Sequence, residues 1–136
     1  MRLVLDTNVL IAALISRGVC AELVQHCVLT HTIVTSEVIL NELRAHLVGK
    51  FNYEEREADE AVSLLASQME VATPATLEQP ICRDTDDDQI LATAVAGQAS
   101  CIITGDKDLL ILRRYVGIEI LSPGDFAGFE SEPEHR

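Results

Sequence analysis

The chain has 136 residues, 48% of them hydrophobic, with a mean hydropathy of +0.20, which excludes a disordered chain and suffices for one core. No apolar run approaches the ~18–20 residues of a membrane span, and Arg2 before a strand-like run with no small-residue cleavage site is not a secretory leader; the expectation is a one-domain, soluble, cytoplasmic protein without a membrane partner. The net charge of −12, from 22 acidic and 10 basic residues, argues against basic patches that grip a phosphate backbone, yet equally suits a site that gathers divalent cations.

In chain order, Leu3, Val4 and Leu5 read as a buried strand that stops at Asp6, and Val9 to Leu14 resume as helix. Asp6 or Thr7 can cap that helix; Asp6 also stands where an open α/β sheet puts charge at its rim. Val19 to Leu29 reads helical, and the β-branched run Thr32 to Thr35 gives a second strand. Ser36 caps the next helix, whose core stripe is Ile39, Leu43 and Leu47 with Leu40 beside them. Glu42 lies at the edge of that stripe with His46 one turn on, and Gly49 is expected to close the helix. Glu54, Glu55, Glu57 and Asp59 load the first turns of another helix, where they suit its dipole.

Val71 to Thr73 reads as a third strand, followed by a connector up to Pro80. The densest charge follows, at Asp84, Asp86, Asp87 and Asp88, ahead of a nearly all-apolar helix expected to begin near Asp87 or Asp88. Capping accounts for one of these acids, not four. Cys101 to Thr104 is a fourth strand; after Gly105 come Asp106 and Asp108, then helix again, which repeats the opening design. Glu119 to Leu121 is the last strand, Ser122-Pro123 starts a final helix, and residues from Glu130 onward read as a frayed acidic tail. Cys20, Cys27, Cys82 and Cys101 lack metal-ligand spacing and read as reduced thiols.

Strands alternating with helices predict a single-domain α/β fold: an open, mostly parallel five-stranded sheet with helices on both faces. Ligands bind such a sheet beyond the carboxyl ends of its strands. If the first and fourth strands are neighbours, Asp6 and Asp106 share a crevice, with Glu42 and Asp88 leaning in from either side. Four carboxylates so placed repel one another by several kcal/mol per close pair at an effective dielectric of about 20. All-oxygen ligation of Mg²⁺ or Mn²⁺ relieves this, and those ions suit chemistry at phosphorus.

Leu3-Val-Leu-Asp6-Thr-Asn8, Glu42 of Asn41-Glu-Leu, Asp88 of Asp-Gln-Ile-Leu-Ala-Thr-Ala94, and Thr104-Gly-Asp106-Lys-Asp108 occur in this order. Together they resemble the PIN-domain family, over residues 1 to about 127. The stretch Cys82 to Asp88 is similar to the toxin-like PIN ribonucleases of bacteria and archaea, the virulence-associated toxin type. The resemblance implies a nuclease domain over residues 1–129 with a tail at 130–136. It implies an Mg²⁺- or Mn²⁺-dependent endoribonuclease, a homodimer, and a possible cognate antitoxin. The catalytic and metal-binding set is then Asp6, Glu42, Asp88 and Asp106, supported by Asn8, Thr104 and Asp108; the choice among Asp86, Asp87 and Asp88 stays open. RNA would be guided by Arg44, His46, Lys50, Arg113 and Arg114.

Three rivals are weighed. A phosphatase of the haloacid-dehalogenase type needs an Asp-x-Asp pair after its first strand, where this chain has Asn8. A receiver-like signalling domain needs an Asp at its third strand, and Val71-Ala-Thr73 supplies none. A PIN-like domain that binds RNA or a partner without cleaving it is disfavoured by the presence of all four carboxylates.

Overall fold

The computed structural model describes residues 1–132. Strands β1 (Arg2–Leu5), β2 (Thr32–Thr35), β3 (Glu70–Val71), β4 (Cys101–Ile103), β5 (Arg114–Tyr115) and β6 (Ile118–Leu121) form one sheet in the order β3-β2-β1-β4-β6-β5. Every neighbouring pair is parallel except β5 with β6. Helices α1 (Thr7–Ile15), α2 (Val19–Thr30), α3 (Glu37–Phe51), α4 (Glu55–Ala66), α5 (Thr85–Ala96), α6 (Lys107–Leu110) and α7 (Pro123–Ser131) connect and cover it.

Successive strand residues point to opposite faces. Leu3, Val4 and Leu5 on β1 are nevertheless all buried, as are Cys101, Ile102 and Ile103 on β4. Both faces of the central strands are therefore covered by helices, which is why these runs read as continuous apolar stretches rather than alternating ones. The order of winding changes between β1 and β4, which pair with Leu5 opposite Ile103. That register brings the next residues, Asp6 and Thr104, level at the carboxyl edge.

Local signals fix most helix ends. Asp6 accepts from the Thr7 N–H at 2.7 Å, and Ser36 accepts from the Ile39 N–H at 3.4 Å. Ser122 accepts from the Asp125 N–H at 3.2 Å ahead of Pro123 at the first helical position.

Four details differ from the sequence expectations. The sheet has six strands, because β5 folds back on β6 through Val116 and Gly117, both at positive φ; a two-residue strand carries no periodicity to read. Gly49 lies inside α3, which ends instead at Asn52 in the left-handed region (φ 58°). Helix α5 starts at Thr85 behind Asp84 as its cap, two to three residues earlier than expected. The expected tail overlaps α7, which continues to Ser131, and its residues 133–136 lie outside the described residues. No single helix among the described residues is long and apolar enough to cross a membrane.

Candidate active site

A cavity of about 450 Å³ opens at the carboxyl edge of β1 and β4. Asp6 reaches it from the end of β1, Glu42 from α3, Asp84, Asp86 and Asp87 from the start of α5, and Asp106 from the loop after β4. Its other walls are Thr7, Asn8, Ile11, Ala12 and Ile15 of α1, with His46, Lys50 and Phe51 of α3. Four segments distant in sequence thus deliver six carboxylates to one place. None of the six is in an ion pair among the described residues.

Asp6 is the most firmly held. Its Oδ1 accepts from Thr7 N–H, and its Oδ2 accepts from the Thr104 hydroxyl at 2.5 Å. Thr104 Oγ1 in turn accepts from the Asp106 N–H at 3.0 Å, and Asp106 Oδ1 accepts from the Asp108 N–H at 2.9 Å. Asn8 Oδ1 accepts from the Gly105 N–H at 3.4 Å, tying the loop after β4 to the start of α1. Asp87 is 7% exposed, and its Oδ2 has no hydrogen-bond partner among the described residues. One oxygen each from Asp87, Asp106 and Asp108 lie within 4.8 Å of one another.

Burial and repulsion by their neighbours leave Asp87, Glu42 and Asp6 reluctant to ionise. Burial, then the neighbouring Asp106, pushes Asp87 up to about 7. Glu42 rises to about 6, first through burial and then through Asp86, Asp6 and Asp84, with Lys50 opposing. Asp6 is raised by burial despite the hydrogen bonds from Thr104 and Thr7. Two unit charges 4 Å apart repel by about 4 kcal/mol at an effective dielectric of about 20. An oxygen-only donor set with a buried, unpartnered carboxylate oxygen fits a hard divalent cation, which would satisfy that oxygen and cancel the repulsion.

The expected site residues divide clearly. Asp6, Glu42 and Asp106 reach the cavity, as do Asn8, His46 and Lys50; Thr104 stands directly behind it, and Asp108 brings a carboxylate oxygen close to those of Asp87 and Asp106. Asp88 does not. It turns away to accept from the Cys82 N–H at 2.8 Å and the Ile81 N–H at 3.2 Å, and it lines a different cavity beside Pro74 to Pro80. Asp87, one residue and about 100° away on α5, is the buried acid aimed inward. Asp86, an alternative to Asp88 in the sequence, joins it, as does Asp84, for which the only signal was the density of the run. Three expected cations are elsewhere. Arg44 pairs with Asp59 of α4, Arg114 pairs with Glu119 of β6, and exposed Arg113 lies outside the cavity at a positive-φ corner.

Residues 2–108 match the family model described as "PIN domain". An uncharacterized protein of Methanocaldococcus jannaschii, MJ1680, is 32% identical over 119 residues, covering 83% of this chain and 76% of that protein. Among solved structures, VapBC2 from Rickettsia felis, bound to a DNA fragment from its promoter, superposes with a TM-score of 0.67 at 17% identity, over 90% of this chain and 98% of that one. VapBC-1 from nontypeable Haemophilus influenzae gives a TM-score of 0.64 at 20% identity, over 91% and 99%. At such identities the two structures speak for a shared fold.

Proposed function

This chain belongs to the PIN-domain family, and from that premise we propose that it is a divalent-cation-dependent endoribonuclease. The observation that carries the reading is the convergence of Asp6, Glu42, Asp87 and Asp106 on one cavity, with a buried Asp87 oxygen that no protein donor satisfies. Mg²⁺ or Mn²⁺ would be held by Asp6, Asp87 and Asp106, with Glu42 facing them from α3. Such an ion, when bound, neutralises phosphate charge, acidifies a water and steadies the leaving oxygen of an in-line displacement.

The protein's own groups have separable tasks. Thr104 and the Thr7 N–H occupy both oxygens of Asp6 and fix its direction, so Asp6 anchors rather than shuttles protons. Glu42, raised to about 6, takes the proton of the attacking water at its carboxylate. The water oxygen bonds to phosphorus as the bond to the 3′-oxygen breaks, and the leaving 3′-oxygen takes a proton from solvent. Lys50 gives the cavity its cationic side, with the His46 imidazole beside it, drawing a phosphate toward an otherwise acidic surface.

The same reading extends to a cytoplasmic homodimer acting as the toxin of a toxin–antitoxin pair. Its support is the fold shared with the VapBC structures and the resemblance of Cys82 to Asp88 to toxin-like members. The test is incubation of metal-stripped protein with labelled single-stranded RNA, with Mg²⁺ or Mn²⁺ restored, beside Asp6→Asn and Asp87→Asn variants. Cleavage by the wild type alone is expected; equal degradation by all three overturns the reading. Growth arrest on expression, relieved by the protein encoded next to this one, tests the toxin assignment separately.

A further inference from the structure

At the opposite end of the sheet from the acidic cavity, beside the start of β1, two imidazoles converge on one carboxylate. His26 Nε2 lies 2.7 Å from Glu130 Oε2, and His31 Nε2 meets the same oxygen. His26 is on α2, His31 is the residue that ends α2, and Glu130 is in the last turn of α7. The two rings stand edge to face with centroids 5.7 Å apart, and His31 is further braced edge-on against Phe126. The His31 side chain is 9% exposed, that of Glu130 26% and that of His26 46%, so one side of the cluster is open to water.

We infer that His26, His31 and Glu130 form a second metal site, for a transition-metal cation of the Zn²⁺ class. Two imidazole nitrogens and one carboxylate oxygen are the donors of a three-ligand zinc centre with water in the fourth position. They do not suit Mg²⁺, which keeps to oxygen ligands, so the two ends of the sheet differ in the ions they select. The remaining contacts are compatible. Thr30 Oγ1 lies 3.4 Å from His26 Nε2 and donates to the His26 carbonyl at 2.6 Å. The Met1 ammonium lies 3.1 Å from His31 Nδ1 and can only donate, so in the metal-free chain the His31 proton sits on Nε2, facing Glu130. Capture of the cation at Nε2 moves that proton to Nδ1, and the Met1 ammonium, then facing an N–H, turns to water instead. Because the ligands come from α2 and α7, the ion would staple the C-terminal helix to the body of the fold, remote from RNA cleavage.

The test uses untagged, full-length protein in excess Mg²⁺, so that the acidic cavity is filled with a cation that ignores imidazole. Co²⁺ is expected to give the visible ligand-field bands of a four-coordinate site at one ion per chain. Zn²⁺ at roughly 100-fold its dissociation constant should raise Tm by about 5 °C or more. Both effects should vanish in His26→Ala, whose half-exposed side chain can be removed without loss of core, and in Glu130→Gln. RNA cleavage by both variants should match the wild type. Absence of the bands in the wild type, or equal bands and equal Tm shifts in the variants, would reduce the cluster to a hydrogen-bonded clamp and overturn the assignment. A failure of RNA cleavage in every form leaves these readouts unaffected and counts against the nuclease reading alone.

Discussion

Thr104 and Asp6 are 98 residues apart, yet the Thr104 hydroxyl donates to Asp6 Oδ2 at 2.5 Å while accepting the Asp106 N–H at 3.0 Å. One fully buried hydroxyl therefore fixes the carboxylate of Asp6 and the backbone from which Asp106 projects. Thr104→Val keeps the shape and removes both bonds. The expected result is a 10- to 100-fold fall in cleavage or in affinity for the activating cation, typical of losing a group that orients a ligand. Thr104→Ser should recover most of it. Titration of activity against Mn²⁺ reads the effect.

The raised acids set a pH dependence. Asp87 at about 7, Glu42 at about 6 and Asp6, also raised, all hold protons in the folded state that the unfolded chain releases near 4. Below about pH 4 both states are protonated and these groups do not disfavour folding. Between about 4 and 7 the unfolded state ionises first, so stability falls as pH rises. Metal-free protein should therefore melt several degrees lower at pH 8 than at pH 5. Mg²⁺ should raise Tm more at pH 8 than at pH 5. Melting curves at both pH values, with chelator and with Mg²⁺, check the sign.

Neighbouring Asp87 and Asp88 should respond oppositely to mutation. Asp87→Asn removes a carboxylate that faces the cavity and repels Asp106; activity should fall about 100-fold or more, while metal-free Tm stays level or rises. Asp88→Ala leaves the Ile81 and Cys82 N–H groups without their acceptor, at a cost of about 1–3 kcal/mol. Its Tm should drop. Thermal melts beside a cleavage assay separate the two.

Much of this arrangement could be read from the residues, and the exceptions have physical causes. Strand, carboxylate, helix is a pattern of local polarity, so the positions of Asp6 and Asp106 at strand ends were visible, and so was the α/β class. The inward acid of the Asp84–Asp88 run was not, because neighbouring helix positions differ by only about 100° and the docking of α5 on the sheet decides which of them faces the cavity. Whether Arg44 faces the cavity or Asp59 depends on how α3 packs on α4, which no single segment encodes. Strand β5 is too short to carry a pattern. The His26–His31–Glu130 cluster needed the docking of α7 on α2, between segments about 100 residues apart.

Gly97 offers a test of packing outside the acidic cavity. A Cβ built there would lie 2.4 Å from Val34 Cγ1, and Val34 is fully buried in β2. Gly97→Ala should cost about 1–3 kcal/mol, the usual range for overfilling a core. Gly105→Ala should be nearly neutral for stability, since its Cβ would meet only Asn8 at 3.7 Å. Denaturant melts of both variants check the contrast.

The pairing of β1 with β4 also bears on how the protein is made. Asp6 leaves the ribosome early, but the strand beside it and the hydroxyl that orients it come about a hundred codons later. A nascent chain that has not yet delivered Thr104 and Asp106 carries its first acid in an unfinished pocket, without the hydroxyl that orients it. Whatever chemistry the finished cavity performs is thus withheld until Thr104 and Asp106 have been translated.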